Sequence, residues 1–321
     1  MEKILRPARS TQEGTGLRHP SRLKPADMIG IVSTSSPVNA EMVDRTRCYF
    51  EARGYRVRTG AHVLERFGYM AGAAELRAGD LNEMLSDPDV RMIVTATGGD
   101  SAIQMLPLIY YGTLSLDPKI ICGLSDPSIL LNALTARSGV PTFHGPNGFD
   151  FGGGITAFTE QNYWPLVTGQ LSFPHRLPVE AQVHVLRAGP AVQGWLWGGH
   201  LATIQGLLGT PYLPQWGGAI LFLEEFQVDY ARTDAMLAHF RHAGIFDRIR
   251  ALIVGQPVEI GQAGAESYEE LILRNCAGTS FPIVANVPLG HTPNKITLPI
   301  GGKVRLDTSA HRLELLDPVV A

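Results

Sequence analysis

Residues 119–131 read Lys119-Ile120-Ile121-Cys122-Gly123-Leu124-Ser125-Asp126-Pro127-Ser128-Ile129-Leu130-Leu131. A short apolar run, a small-residue turn and a helix start follow one another, the pattern of a buried strand feeding a helix. Pro127 suits the first helical position, where a backbone N–H has no intrahelical partner. A serine at the tip of such a turn can point its hydroxyl into a cleft while the next backbone N–H groups stay free. That is the geometry of a nucleophile elbow. The closing glycine of G-x-S-x-G is missing, so this is not the α/β-hydrolase version. The competing reading is that Ser125 or Asp126 only caps the helix, and the rest of the chain has to decide.

Working outward, residues 28–33 read as a first buried strand and residues 39–54 as a helix closed by Gly54. Residues 55–58 form a second strand, 73–86 a second helix and 90–96 a third strand ending at Thr97-Gly98-Gly99-Asp100. A short helix starts at Ala102 and stops near Pro107. The helix after Ser125 runs to about Ser138. Strands alternating with helices imply an α/β fold with a mostly parallel sheet. Ligands of such sheets sit at the carboxyl ends of the strands, where Gly98-Gly99 and Ser125 both fall.

The chain divides into an arm over 1–26, an N-terminal α/β domain over 27–150, a crossover over 151–186 and a smaller strand-rich α/β domain over 187–321. The arm carries no apolar stretch of a secretory signal and reads as poorly ordered. The crossover is rich in Gly, Pro and aromatics, with weak periodicity. In the last domain, residues 218–225 and 251–255 read as strands, with helices at 201–208 and 229–242. Residues 281–287, 295–299, 303–307 and 312–316 are further strands.

With 321 residues, 45% hydrophobic and 18% charged, the composition is that of an ordinary globular protein. The net charge of −3 is spread along the chain and points to neither nucleic acid nor an anionic membrane as partner. No apolar run reaches the length of a transmembrane helix. The three cysteines are far apart and form no metal or redox motif. They suit a reducing cytoplasm.

Amide hydrolysis by serine needs a base for the hydroxyl proton, a carboxylate to orient the base and N–H donors for the oxyanion. Among ten histidines, His291 stands out in the loop Pro288-Leu289-Gly290-His291 after a strand. Glu224 ends the very apolar run Ile220-Leu221-Phe222-Leu223, and Glu225 beside it can fill the same role. Gly98 and Gly99 can bring bare backbone close to a reacting carbonyl, or simply make a turn. His144 suits either a cleft wall or a structural turn. No dinucleotide-binding or P-loop pattern is present.

Several segments together resemble the LD-carboxypeptidase family of serine peptidases, which includes the microcin C immunity peptidases. They are Ser35-Ser36-Pro37-Val38, Thr97-Gly98-Gly99, Pro118-Lys119-Ile120, Gly123-Leu124-Ser125-Asp126 and Pro141-Thr142-Phe143-His144-Gly145-Pro146. Gly198-Gly199, Leu207-Leu208-Gly209-Thr210-Pro211-Tyr212, Leu221-Phe222-Leu223-Glu224 and Gly290-His291 continue the series. Each motif is short, and the specificity lies in their order and spacing. Gly-Gly after the third strand, with no arginine before it, is closer to the microcin-immunity branch than to the murein-recycling branch.

The resemblance implies Ser125 as nucleophile, His291 as general base and then acid, and Glu224 as the acid that orients it. It implies oxyanion donors from the backbone N–H groups of Gly99 and Asp126, substrate contacts at Gly98 and His200, a homodimer, and no metal or cofactor. Two departures stand out. His200 replaces the family's usual Asn and brings a group that titrates near neutral pH. Asp100 sets an acid beside the proposed oxyanion site and is expected to point into the helix N-terminus. The expected activity is hydrolysis of an amide in a small peptide or a peptidyl-nucleotide conjugate. Trp164, Trp195 and Trp197 are candidates to stack on a base. The alternatives are a murein tetrapeptide LD-carboxypeptidase and a non-catalytic small-ligand-binding protein on the same scaffold.

Overall fold

The computed structural model describes residues 17–179, 183–261, 264 and 266–321. The first half builds β1 (Met28–Val32), α1 (Ala40–Glu51), β2 (Arg56–Thr59), α2 (Ala74–Ser86) and β3 (Val90–Thr95). A 3₁₀ turn over Ala102–Leu108 and α3 (Tyr111–Leu116) lead to β4 (Ile120–Gly123), α4 (Pro127–Ser138) and β5 (Thr142–His144). The strands β5-β4-β3-β1-β2 are parallel. Ile29, Ile31, Met92, Ile93, Ile120 and Ile121 are sealed from solvent. That is why these strands read as unbroken apolar runs: helices cover both faces of the sheet. The Asn39 side chain caps α1 by accepting the Met42 N–H, and Gly54 in a left-handed conformation ends the turn beyond it.

The second half contains α5 (Gly148–Gly154), α6 (Ala157–Val167), β6 (His175–Arg176), β7 (His184–Arg187), β8 (Val192–His200), α7 (Leu201–Ile204) and β9 (Ile220–Glu224). It continues with α8 (Tyr230–His242), β10 (Ala251–Gly255), α9 (Tyr268–Asn275), β11 (Ile283–Val287), β12 (Leu298–Ile300), β13 (Lys303–Asp307) and β14 (Arg312–Leu315). The second sheet runs β6-β14-β13-β8-β9-β10-β11-β7, with a parallel centre from β8 to β11 and antiparallel rims. β12 returns to the first sheet and pairs antiparallel with β5, Leu298 opposite His144. One apolar core runs through both sheets. No helix of the described residues is long and apolar enough to cross a membrane.

Three local readings change. Of the arm, residues 1–16 lie outside the described residues, but residues 17–26 are not poorly ordered. Arg18 N–H donates to Gly139 O, Arg22 N–H to Ala321 O and Leu23 N–H to Val167 O, each at 2.9 Å, and Leu23 is buried. Of the crossover over 151–186, the first part is helical, in α5 and α6, and residues 180–182 lie outside the described residues. A capping box between Asn147 and Asp150 starts α5. Phe151 then packs 4.8 Å from Phe50 and 5.1 Å from Tyr163, ring to ring. Packing of aromatics onto α1 outweighs the poor helix propensity of Gly152, Gly153 and Gly154. The short α3 and α9 were not anticipated, although Ser267 and Glu270 form a capping box at the start of α9.

Phe151→Ala should lower stability by about 3–5 kcal/mol, the cost of emptying an aromatic site in a core. Urea-unfolding midpoints measure it. A change under about 0.5 kcal/mol, typical of a surface position, would show that this stretch is not part of the core.

Candidate active site

β4 ends at Gly123, and the chain turns through Leu124 and Ser125 into α4. Ser125 has φ of 71°, a left-handed conformation that costs a non-glycine residue about 1–3 kcal/mol. The surroundings impose it. Pro127 starts the helix, and Ser128 N–H donates to Ser125 O at 2.8 Å. Gly98 leaves room for the serine: a Cβ there would lie 2.6 Å from Ser125 Cβ and 2.7 Å from its Oγ. Gly99, with φ of 147°, lies against Ser36 so closely that a Cβ would run into the Ser36 hydroxyl. Ser36 N–H in turn donates to Gly98 O at 3.0 Å.

Asp126 does not cap α4. Its Oδ2 accepts the Ser35 hydroxyl at 2.6 Å and the Ser101 and Ala102 N–H groups at 2.7 Å each. The carboxylate therefore caps the 3₁₀ turn after Gly99, the place expected for Asp100, which is exposed. Burial pushes the Asp126 carboxyl up, against the pull of these three donors. Behind this network lies Arg77, 1% exposed. Its guanidinium donates to Thr34 O at 2.6 Å, Ser101 O at 3.1 Å and Gln104 Oε1 at 2.8 Å. Arg77 ties the loops after β1 and β3 together, and nothing in the sequence singled it out from the surface arginines.

In the second half, Glu224 at the end of β9 is 1% exposed. Two glycines make its cradle. A Cβ on Gly255 would lie 2.9 Å from Glu224 Cβ, and one on Gly290 would run into Glu224 Oε2. His291 Nδ1 lies 2.8 Å from Glu224 Oε2, and His144 Nε2 lies 3.7 Å from Oε1. Burial works to raise the Glu224 carboxyl, but His291, and after it His144, hold it well below the usual carboxylate range. Burial lowers His144, which favours its neutral form. The His291 ring is stacked on Phe226, with centroids 4.3 Å apart and planes 8° apart.

Glu225 serves a different histidine. Its Oε2 accepts the Ala202 N–H and its Oε1 the Phe226 N–H, each at 3.0 Å. His200 Nε2 lies 2.7 Å from Oε1, and His200 Nδ1 lies 2.9 Å from the Thr203 hydroxyl. Burial would lower the His200 imidazole, but the bond to Glu225 and the charge of Glu224 push it up to about 9. The Glu225 carboxylate beside it thus moves His200 above the ordinary imidazole range, away from the near-neutral titration expected from the sequence. Its ring centroid lies 5.2 Å from that of His291.

The two halves meet through named contacts. His144 of β5 pairs with Gly123 of β4 and reaches Glu224. His200 N–H donates to Ser128 Oγ at 3.2 Å, and Asn132 Nδ2 donates to Gly198 O at 2.8 Å. A Cβ on Gly199 would lie 2.6 Å from Ser128 Cβ. The helix that follows Ser125 thus abuts the strand end that carries His200, next to Glu224 in register. Among the described residues no hydrogen bond joins the Ser125 hydroxyl to His291. Such bonds are commonly long without substrate and tighten when it binds. Of the tryptophans, Trp164 stacks on Tyr55 and donates to Tyr49, Trp197 is buried, and Trp195 is half-exposed in β8 opposite Lys303. Among the described residues no group of His, Cys, Asp and Glu is arranged to hold a metal ion.

Two models of one family match this chain, the LD-carboxypeptidase N-terminal domain over residues 29–145 and the LD-carboxypeptidase C-terminal domain over 193–306. The putative carboxypeptidase YocD of Bacillus subtilis (strain 168) is 29% identical over 310 residues, covering 89% of this chain and 95% of that protein. The murein tetrapeptide carboxypeptidase of Pseudomonas aeruginosa is 28% identical over 284 residues, covering 85% and 91%. The microcin C7 self-immunity protein MccF of Escherichia coli is 26% identical over 311 residues, covering 88% and 90%. A solved structure of MccF in complex with aspartyl sulfamoyl adenosine matches with a TM-score of 0.88 at 23% identity, over 95% of this chain and 100% of that one. This likeness establishes a shared fold.

The His200–Glu225 pair makes stability depend on pH. An imidazole raised from 6.5 to about 9 on folding contributes stability that is complete below pH 6.5 and lost as pH rises through 9. Glu225→Gln should therefore be less stable than wild type at pH 6.5, and the gap should close by pH 9.5. Urea midpoints at the two pH values measure it, and a gap that stays constant rules out the charged pair.

Proposed function

The chain belongs to the LD-carboxypeptidase family of serine peptidases, and on that premise we propose that Ser125, His291 and Glu224 act as its catalytic triad. The observation that carries this reading is the 2.8 Å bond between His291 Nδ1 and Glu224 Oε2. Glu224, ionised, holds a proton on Nδ1 and leaves Nε2 free to act as base. Nε2 takes the Ser125 hydroxyl proton as Oγ attacks the scissile carbonyl. The oxyanion is met by the N–H groups of Gly99 and Asp126. The proton then passes from Nε2 to the leaving amine, and a water activated by the same nitrogen releases the acyl group and restores Ser125. The left-handed Ser125 supports this role, since strain of that kind is kept where geometry serves chemistry.

Gly98 and His200 border the space for the acyl group. His200 Nδ1 is hydrogen-bonded to Thr203 and Nε2 lies 2.7 Å from the Glu225 carboxylate, so it meets substrate as a charged neighbour. The substrate we infer is a small peptide or a peptidyl-nucleotide conjugate. The structure of MccF with aspartyl sulfamoyl adenosine, the same fold along nearly the whole chain, supports the conjugate. The murein tetrapeptide carboxypeptidase, at 28% identity, supports a peptide. We take the conjugate first. All three cysteines are free, which accords with a cytoplasmic enzyme, and the reading includes a homodimer.

Ser125→Ala should lower hydrolysis by at least about a thousandfold, the scale of losing a triad member, with the melting curve intact. The assay offers an aminoacyl-sulfamoyl adenosine and a murein tetrapeptide side by side. Turnover of the conjugate supports the first reading and turnover of the tetrapeptide alone the second. Full activity in Ser125→Ala sinks both.

A further inference from the structure

The site contains two adjacent carboxylates, both 1% exposed, and each has its own histidine. A single orienting acid explains Glu224 and leaves the second pair without a task. Glu225 is fixed by two backbone N–H groups, from Ala202 and Phe226. His200 is held by a hydrogen bond between Nδ1 and the Thr203 hydroxyl, by its backbone N–H, which donates to Ser128 Oγ, and by the ion-pair approach of Nε2 to Glu225 Oε1 at 2.7 Å. Neither can turn toward substrate without breaking these bonds. What His200 does present is its ring, 5.2 Å from the His291 ring at an interplanar angle of 59°.

We propose that His200, paired with Glu225, is a positioning residue that keeps His291 in its proton-accepting form. The proposal rests on the reading of His291 as the base. Glu224 orients His291 at 2.8 Å, and an anion beside any imidazole favours its imidazolium form. A cation on the other side of the same ring opposes that form. The counter-charge must stay in place over the working pH range, and the bond to Glu225 keeps it there up to about pH 9. The groups facing His200 fit this balance. Glu225 and Glu224 come from the end of β9, Thr203 from α7, Ser128 and Asp126 from the start of α4, His144 from β5 and His291 from the loop after β11. Tyr268 of α9 lies beyond, in the field of Glu225 and Glu224, and burial keeps its hydroxyl protonated.

The test is the pH dependence of kcat/KM for wild type and His200→Gln, from pH 5 to 10, on whichever substrate the enzyme turns over. Loss of the cation should move the acid limb up by about one pH unit, the effect of one charge at this distance in a partly screened site. A loss of activity equal at every pH would mark a purely structural role, and a raised KM with an unmoved limb would mark a substrate contact. Either overturns the proposal. A wild-type profile with no acid limb removes His291 as base, and the proposal with it. A limb that is present but does not shift removes the proposal alone. If His200→Gln does not fold, ¹⁵N-histidine NMR of the wild-type protein decides. The His200 ring should stay doubly protonated up to about pH 9, and loss of its proton below pH 7 overturns the proposal.

Discussion

A carboxylate sealed from water at the end of an apolar strand is the constraint around which this molecule is arranged. Left alone, an ionised Glu224 would cost several kcal/mol and would take up a proton. His291 supplies the hydrogen bond at 2.8 Å, and His144 adds a second imidazole at 3.7 Å. Each comes from a different part of the chain. His291 follows β11 in the second sheet, while His144 ends β5 in the first. Satisfying one buried charge thus joins the two halves at the carboxyl ends of their strands. Gly255 and Gly290 are small because the carboxylate occupies the space that their side chains would need.

The nucleophile side is built on the same logic with opposite partners. Asp126 is buried and satisfied by one hydroxyl and two backbone N–H groups, and Arg77 behind it offsets its charge while pinning the surrounding loops. The strained backbone at Ser125 persists because this network and Pro127 over-determine it. A close-packed seam, with Ser128 against Gly199 and Asn132 bonded to Gly198, keeps the two sides in register.

Much of this was legible from residue order, and the exceptions share a cause. The strand, turn and Pro127 around Ser125 are local signals, so the elbow could be read directly. Glu224 was marked by the apolar run before it, yet only the fold tells it from Glu225, since neighbouring carboxylates look alike until partners are assigned. His144 stayed between two readings because its partner lies 80 positions away, at Glu224. Arg77 left no trace, since a buried guanidinium announces itself only through its acceptors, here Thr34 O, Gly72 O and Ser101 O on three separate loops. The helices over 148–167 were hidden by glycines and Pro165, whose local preferences lose to the packing of Phe151 and Tyr163. His200 can be singled out in the sequence, but its charge follows from Glu225, a contact made only in three dimensions.

The central claim is that Ser125 meets the scissile carbonyl with Gly99 and Asp126 at its oxygen. A crystal structure of Ser125→Ala with an uncleaved substrate bound tests it most directly. The expected structure has the scissile carbonyl carbon facing the Cβ of residue 125, with the carbonyl oxygen about 3 Å from both backbone nitrogens. A scissile bond held elsewhere in the cleft, with its oxygen turned away from Gly99 and Asp126, would contradict it.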